Sequence, residues 1–461
     1  MAVSSVSGAS GASTPVGIPT VAWFSLPVVG INFSLVLTIA YIAKYSVDVL
    51  LVAPAAIGLI FGLSRVWDAV TDPLIGFLSD KTRHRWGRRR PWMLGSAIPV
   101  AICGLLLWSP PGFVSQDVMA LWVGVMLFAY MTAMTAFLVP HYALGAELSE
   151  LVHDRTRIFA GRQIGSIAGS ALALILGIHL LTNLDDPRNT AFWLMVAAGA
   201  ITVLTVAIAV ARLSERADFQ GRTKANPFSS FGDVWRNPHG KRLIFLYLTE
   251  SIGSGASAVL SPFLMHYVVG MPEMTAIIFI PYLVSQLLTV FLWTEMARRV
   301  GKRATWLTGM AVAVAGYTTI FFVGYHDLYL MFLVVTLTGA AASCGQVIGP
   351  SIQADVIDYD EYTTGERKEG AYFSVFTFLM KSSSGVMIIV TGFALSLVGY
   401  EPNAEQTELV KFTMSALMSW VATGCFLVAI WIFYRFELTE QEHARIRAAL
   451  DARAQQDPTA R

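Results

Sequence analysis

The stretch IFGLSRVWDAVTDPLIGFLSDKTRHRWGRRRPW, Ile60 to Trp92, decides how this chain is read. Up to Asp80 it is mostly apolar, interrupted by Arg65, Asp68 and Asp72. Those three residues and Gly76 are spaced by three, four and four positions, which places them on one face of a helix. The segment then ends in a block of bases: Lys81, Arg83, Arg85, Arg88, Arg89 and Arg90. Charged side chains inside an otherwise apolar helix are costly at membrane depth and mark ion or substrate pathways. Basic blocks at helix ends mark cytoplasmic loops.

The rest of the chain supports a membrane reading. Of its 461 residues 55% are hydrophobic and 14% charged, against about 25% charged in a soluble domain. Phe192–Val210, Trp306–Tyr325 and Met414–Phe433 carry no charge and are long enough to cross roughly 30 Å of hydrocarbon. There is too little polar sequence to cover so many apolar runs in water. A net charge of +1 gives no footprint for nucleic acid. Cys103, Cys344 and Cys425 all fall within apolar segments and form no spaced metal set.

Apolar runs predict helices near 22–44, 50–80, 91–110, 117–149, 157–182, 190–212, 241–269, 273–298, 303–324, 327–357, 370–399 and 408–436. That is an all-α membrane protein of twelve spans: a bundle over 22–213, a linker over 214–240 and a bundle over 241–436. A disordered tail is expected over 1–21 and a second tail over 437–461. Met1 to Thr20 lacks the basic region of a cleavable signal.

Bases fill the even-numbered loops: the block at 81–90, Arg155 and Arg157, the linker's Arg216, Arg222, Lys224 and Arg236, then Arg298, Arg299, Lys302 and Arg303. The other loops hold Asp117, Asp185, Asp186, Glu273, Asp327, Glu401 and Glu405. This alternation predicts cytoplasmic termini in a multi-pass protein of the cell membrane. Phe77–Trp92 (FLSDKTRHRWGRRRPW) also aligns without gaps on Phe291–Trp306 (FLWTEMARRVGKRATW), sharing Gly87/Gly301 and Trp92/Trp306. A repeat at equivalent places in two halves predicts parallel bundles related by a pseudo-two-fold axis, the major facilitator fold.

Asp68 and Asp72, with Arg65 one turn before, offer oxygen ligands to Na⁺ or a site for H⁺. The competing reading is a structural Arg–Asp pair; the second carboxylate is surplus to it. Glu250 lies in a Gly-rich helix that suits a gating helix facing the cavity, which makes it a candidate substrate contact, against an interfacial glutamate as the alternative. His141 follows Pro140 at an expected kink facing the cavity, against a core histidine. Asp80, Arg83, Arg88 and Arg89 are expected to latch the halves electrostatically, with Asp355, Asp358 and Arg367 supplying partners from the second half. Walker, HExxH and CxxC sequences are absent, so neither an ATP-driven pump nor a recognised catalytic centre is expected.

Two stretches carry a resemblance: RVWDAVTDPLIGFLSDKTRHRWGRRRPW (Arg65–Trp92) and ADVIDYDEYTTGERKEGAYFSVFTFLMK (Ala354–Lys381). Both strongly resemble the glycoside–pentoside–hexuronide:cation symporter family, over about Phe24 to Phe436. The resemblance implies symport driven by Na⁺, Li⁺ or H⁺, with no other cofactor. It implies a cation site of Asp68, Asp72, Thr71 and Thr135, with Lys381 as charge partner, and Arg162 and Tyr142 at the substrate. The chain departs from the family where Asn32, Leu138 and Phe376 stand in place of two acids and an amide. Those changes make the cavity more apolar and leave two substrate classes open, a sugar or glycoside and a lysolipid or other amphiphile. A membrane-embedded lipid-modifying enzyme is the rival outside transport. The chain is expected to work as a monomer in the bilayer.

Overall fold

The computed structural model describes residues 16–149, 151–182, 186–215, 230–271, 274–366, 368–400 and 404–456. Most of the linker, Arg367, Asp185, Glu273, Glu401 and the side chain of Arg65 lie outside the described residues.

In the first half, α1 (Ile18–Asp48), α2 (Pro54–Lys81), α3 (Arg90–Trp108), α4 (Gln116–Glu147), α5 (Val152–Thr182) and α6 (Pro187–Arg212) follow one another. A short α7 (Ser230–Arg236) precedes the second half. That half comprises α8 (Pro238–Phe263), α9 (Thr275–Val300), α10 (Lys302–Ile320), α11 (Leu328–Thr364), α12 (Glu369–Leu397) and α13 (Glu408–Ala416) running into α14 (Ala422–Tyr434). A last helix, α15, spans Glu440–Gln456. Among the described residues nine helical spans are long and apolar enough to cross a membrane; α2, α10 and α12 complete two sets of six.

Local chemistry sets many helix starts. Proline occupies the first turn of α2, α3, α6 and α8, where its missing N–H costs nothing. Side chains of Asp186, Asn237, Asp327 and Thr407 accept backbone N–H groups at the starts of α6, α8, α11 and α13. Gly365, left-handed at φ 73°, ends α11.

Apolar side chains point outward as well as inward. Leu121, Ile175, Trp193, Leu288 and Phe393 are each more than 60% exposed. So much exposed apolar surface on one molecule fits lipid as the surrounding solvent. Inside, one core is built from residues of 24–213 and a second mainly from 234–446. Ala143, Phe159 and Ile167 of the first half pack into the second core and stitch the halves together.

The sequence repeat is a structural repeat. Gly87 and Gly301 both adopt positive φ, 106° and 87°, a turn that favours glycine. Each precedes the third helix of its half. Glu215, following α6, accepts the backbone N–H groups of Arg88, Arg89 and Arg90 at 2.7, 2.9 and 2.6 Å. Glu440, following α14, accepts that of Lys302 at 3.3 Å.

Several expectations change, beginning with the tail expected over 1–21, where α1 already starts at Ile18, and the linker expected over 214–240, which carries α7 and the start of α8. The fifth helix begins at Val152 rather than 157, and the tenth span continues to Thr364 rather than 357. Within the tail at 437–461, α15 folds back against α11, because His443 and Arg447 find Asp358 there. Val16 donates to Asp154 at 2.7 Å and His443 meets Asp358, which places both chain ends' anchoring residues at the same, basic end of the bundle.

Candidate functional site

Asp68 and Asp72 project from α2 between the halves and are essentially inaccessible, at 1% and 0% exposure. Taking two ionised carboxylates out of water costs several kcal/mol each unless they are compensated. Among the described residues a counter-charge comes from the other half. Lys381 Nζ on α12 lies 2.9 Å from Asp72 Oδ1 and 3.4 Å from Asp68 Oδ1. Thr135 on α4 donates to Asp72 Oδ1 at 2.9 Å and accepts from Lys381 at 3.1 Å. Asp72 Oδ2 accepts no hydrogen bond among the described residues. Among the described residues, two carboxylates and one ammonium meet here. The cluster's hard oxygen donors suit a small monovalent cation or a proton. Thr71, by contrast, turns its hydroxyl back to the Trp67 carbonyl at 3.2 Å.

Lys381 also lines a cavity of about 440 Å³ between the halves, together with Asn32, Leu138, Tyr142, Arg162, Glu250 and Phe376. The Asp68–Asp72–Lys381 cluster thus lies directly behind the cavity wall. On α5, Arg162 stacks its guanidinium 3.8 Å over the Tyr142 ring. The α5 backbone is held close to α1, where a Cβ on Gly161 or Gly165 would come within 2.6 Å of α1 atoms. Asn32 donates to the Ser166 carbonyl at 3.1 Å. Across the cavity, Glu250 Oε1 accepts the indole N–H of Trp306 at 3.1 Å. Gln163 on α5 and Gln286 on α9 join the halves at 2.9 Å.

The basic end is shut by two charge clusters. Arg88 reaches Glu147 of its own half and Glu369 of the other, both at 3.0 Å. Arg89 binds Glu147, Ser79 and Asp80. Asp80 in turn accepts the N–H groups of Gly370 and Ala371, at 3.1 and 3.2 Å, capping the positive end of α12. Beside it α2 and α12 touch backbone to backbone: a Cβ on Gly76 would fall 2.5 Å from the Gly370 carbonyl. In the second cluster Arg155 of α5 bridges to Asp355 and Asp358 of α11, at 3.1 and 2.7 Å. Lys302 holds Asp355 at 2.6 Å, and His443 of α15 lies 2.8 Å from Asp358.

Two expected roles fail on geometry. His141 does not reach the cavity: it is fully buried, stacked between Phe24 and Phe137, with Nε2 2.8 Å from the Phe24 carbonyl. Packing of α4 on α1 turns its ring into the core. Arg83 is exposed and stands apart from the buried latch, since α2 ends before it. Sequence reasoning missed Glu147, Glu215, His443 and Arg447, and read Arg155 and Lys302 only as loop charges. The repeat carried a usable signal: Lys302 occupies in the second half the place of Arg88 in the first.

A family model described as MFS/sugar transport protein matches residues 23–440. The chain is 27% identical over 448 residues to a glucuronide carrier protein homolog of Escherichia coli, covering 94% of this chain and 95% of that one. It is 26% identical to the sodium-dependent lysophosphatidylcholine symporter 1-A of Danio rerio, covering 87% and 82%. In three dimensions it is similar to FucP, a major facilitator superfamily transporter solved in the outward conformation. The TM-score is 0.69 at 15% identity, covering 92% of this chain and 99% of that one.

Proposed function

The chain belongs to the MFS/sugar transport protein family, and from that membership we propose cation-coupled symport of a sugar or glycoside, with Na⁺ or H⁺ as the coupling ion. It is a multi-pass membrane transporter rather than an enzyme. The observation that carries the symport reading is the contact between Lys381, which lines the cavity, and the buried Asp68 and Asp72 behind it. Substrate and cation are then held by groups in direct contact, and each ligand tightens the other by the same factor.

In this reading the basic end faces the cytoplasm, with both termini, and the clusters around Arg88 and Arg155 hold that side closed. A cation entering from the opposite side displaces or joins the Lys381 ammonium at Asp68 and Asp72. Substrate then bridges α5 and α8 across the cavity, drawing the outer ends together. Closure loosens the Arg88–Glu369 and Asp80–α12 contacts, and both ligands leave inward. Every group invoked lies within one chain, so a monomer suffices.

A second reading, transport of a lysolipid or other amphiphile, draws support from the apolar wall of Leu35, Leu138, Phe373, Phe376 and Phe426. Proteoliposomes under an imposed Na⁺ or pH gradient test both readings. Gradient-dependent accumulation of an aryl glycoside supports the first, and of lysophosphatidylcholine the second. No accumulation of either under either gradient refutes symport of these classes.

A further inference from the structure

Besides the cavity between the halves, the structure carries a recess of about 680 Å³ on the first bundle, where α2, α3 and α4 meet. Its walls are the rings of Trp67, Trp92 and Phe128, and its floor runs along Gly95, Pro99 and Cys103 of α3. Gly95 and Pro99 are exposed, and a Cβ added to Gly95 would meet nothing within 4 Å. Among the described residues, then, no helix covers this floor. From Pro91 at the start of α3 to Cys103 the recess rises about 18 Å, at 1.5 Å per residue. One leaflet offers about 15 Å of hydrocarbon, half of the bilayer core, so the recess is one leaflet deep.

Its entrance is basic. Trp92 donates its indole N–H to Thr82 at 2.8 Å, which sets that end of the recess beside the loop after α2. Lys81, Arg83 and Arg85 of this loop are exposed, and among the described residues none of them forms an ion pair. The other bases of the block are engaged: Arg88 and Arg89 by carboxylates, Arg90 by the Val210 carbonyl at 2.9 Å. Trp86, 41% exposed, lies beneath the Arg85 guanidinium. An amphipathic ring beside exposed bases is how a protein surface meets lipid headgroups.

We propose that this recess binds one anionic glycerophospholipid from the leaflet at the basic end. An acyl chain lies along α3 between the Trp67, Phe128 and Trp92 rings, and the phosphate meets Lys81, Arg83 and Arg85. Trp67 immediately precedes Asp68, which faces inward at 1% exposure. The lipid therefore steadies, from outside, the helix that carries the buried carboxylates, whatever cargo the central cavity takes.

The test is lipid binding to the purified full-length protein, followed by native mass spectrometry. The probes are phosphatidylglycerol and the zwitterionic phosphatidylcholine with the same acyl chains. The first phosphatidylglycerol should bind about 10- to 100-fold tighter than the first phosphatidylcholine, since each base near the surface contributes about fivefold. Lys81→Gln, Arg83→Gln and Arg85→Gln combined should cut that preference to about twofold or less. Gly95→Leu, which extends into the open floor, should weaken phosphatidylglycerol about tenfold by displacing part of the chain, and Gly95→Ala should weaken it far less. A second measurement adds no side chain. Phosphatidylglycerol brominated on its chains should quench tryptophan emission more than brominated phosphatidylcholine at equal mole fraction, and Trp67→Phe should reduce that excess. Equal affinity for the two lipids overturns the proposal, as does a preference that survives loss of the three bases. Undiminished phosphatidylglycerol binding by Gly95→Leu, or an excess of quenching unchanged in Trp67→Phe, would show a headgroup held by the loop alone and overturn the recess as the site.

Discussion

Lys381 Nζ sits 2.9 Å from Asp72 Oδ1, and the two residues belong to opposite halves of the molecule. The same contact neutralises a fully buried carboxylate and joins α2 to α12. In the proposed symport, a coupling cation at Asp72 would compete with this strut between the halves, giving ion binding leverage over conformation.

Replacing Asp72 with Asn removes the carboxylate that faces both Lys381 and Thr135. Asp72→Asn and Asp68→Asn should each abolish gradient-driven accumulation in proteoliposomes while leaving folded protein in the membrane. Uphill uptake at the wild-type level in both variants would remove these residues from the cation site.

Truncating Lys381 leaves Asp72 buried without its counter-charge, and breaking such a pair costs about 3–5 kcal/mol. Lys381→Ala should lower the melting temperature in detergent, whereas Lys381→Arg keeps the charge and should recover most of the loss. Equal melting temperatures for wild type and Lys381→Ala would refute the pairing.

Glu369 links Arg88 to the second half. Glu369→Gln should weaken the closed basic end and populate an opened state. Spin labels at Arg83 and Arg299, both exposed and in opposite halves, should report a longer distance component by double electron–electron resonance. An unchanged distance distribution would show that this pair does not hold the end shut.

Burial, together with the nearby charge of Glu147, pushes the Glu215 carboxyl above its ordinary 4.5, although three backbone N–H groups pull the other way. Between the ordinary and the raised value the folded protein binds more protons than the unfolded one. Stability from this group is thus present at low pH and is lost as pH rises through the raised value. The difference in melting temperature between wild type and Glu215→Gln should shift against the wild type as pH is raised from about 4. A difference that moves the other way contradicts the assignment.

His141 now reads as a core residue. His141→Ala should cost about 1–3 kcal/mol of stability, through its lost stacking and its lost hydrogen bond to the Phe24 carbonyl, with little change in substrate affinity. A large affinity loss in a normally stable variant would return it to the cavity.

Much of this protein was legible in one dimension. Hydrophobic run lengths determine helices whatever their partners, because lipid forces every backbone group to be satisfied within its own segment. Spacing along α2 put Asp68 and Asp72 on one face, and the repeat paired Gly87 with Gly301, whose positive φ is a local property of each turn. What a side chain meets across a helix interface is not local. Nothing in the sequence around His141 says that its ring turns toward Phe24 rather than the cavity. Nor does it say that Glu215 and Glu440 return from the ends of the two halves to cap α3 and α10. Arg88, Arg155 and Arg162 look alike in the chain. Only packing gave acids to the first two and left the third facing a cavity, because ion pairing depends on a few ångströms between helices far apart in sequence.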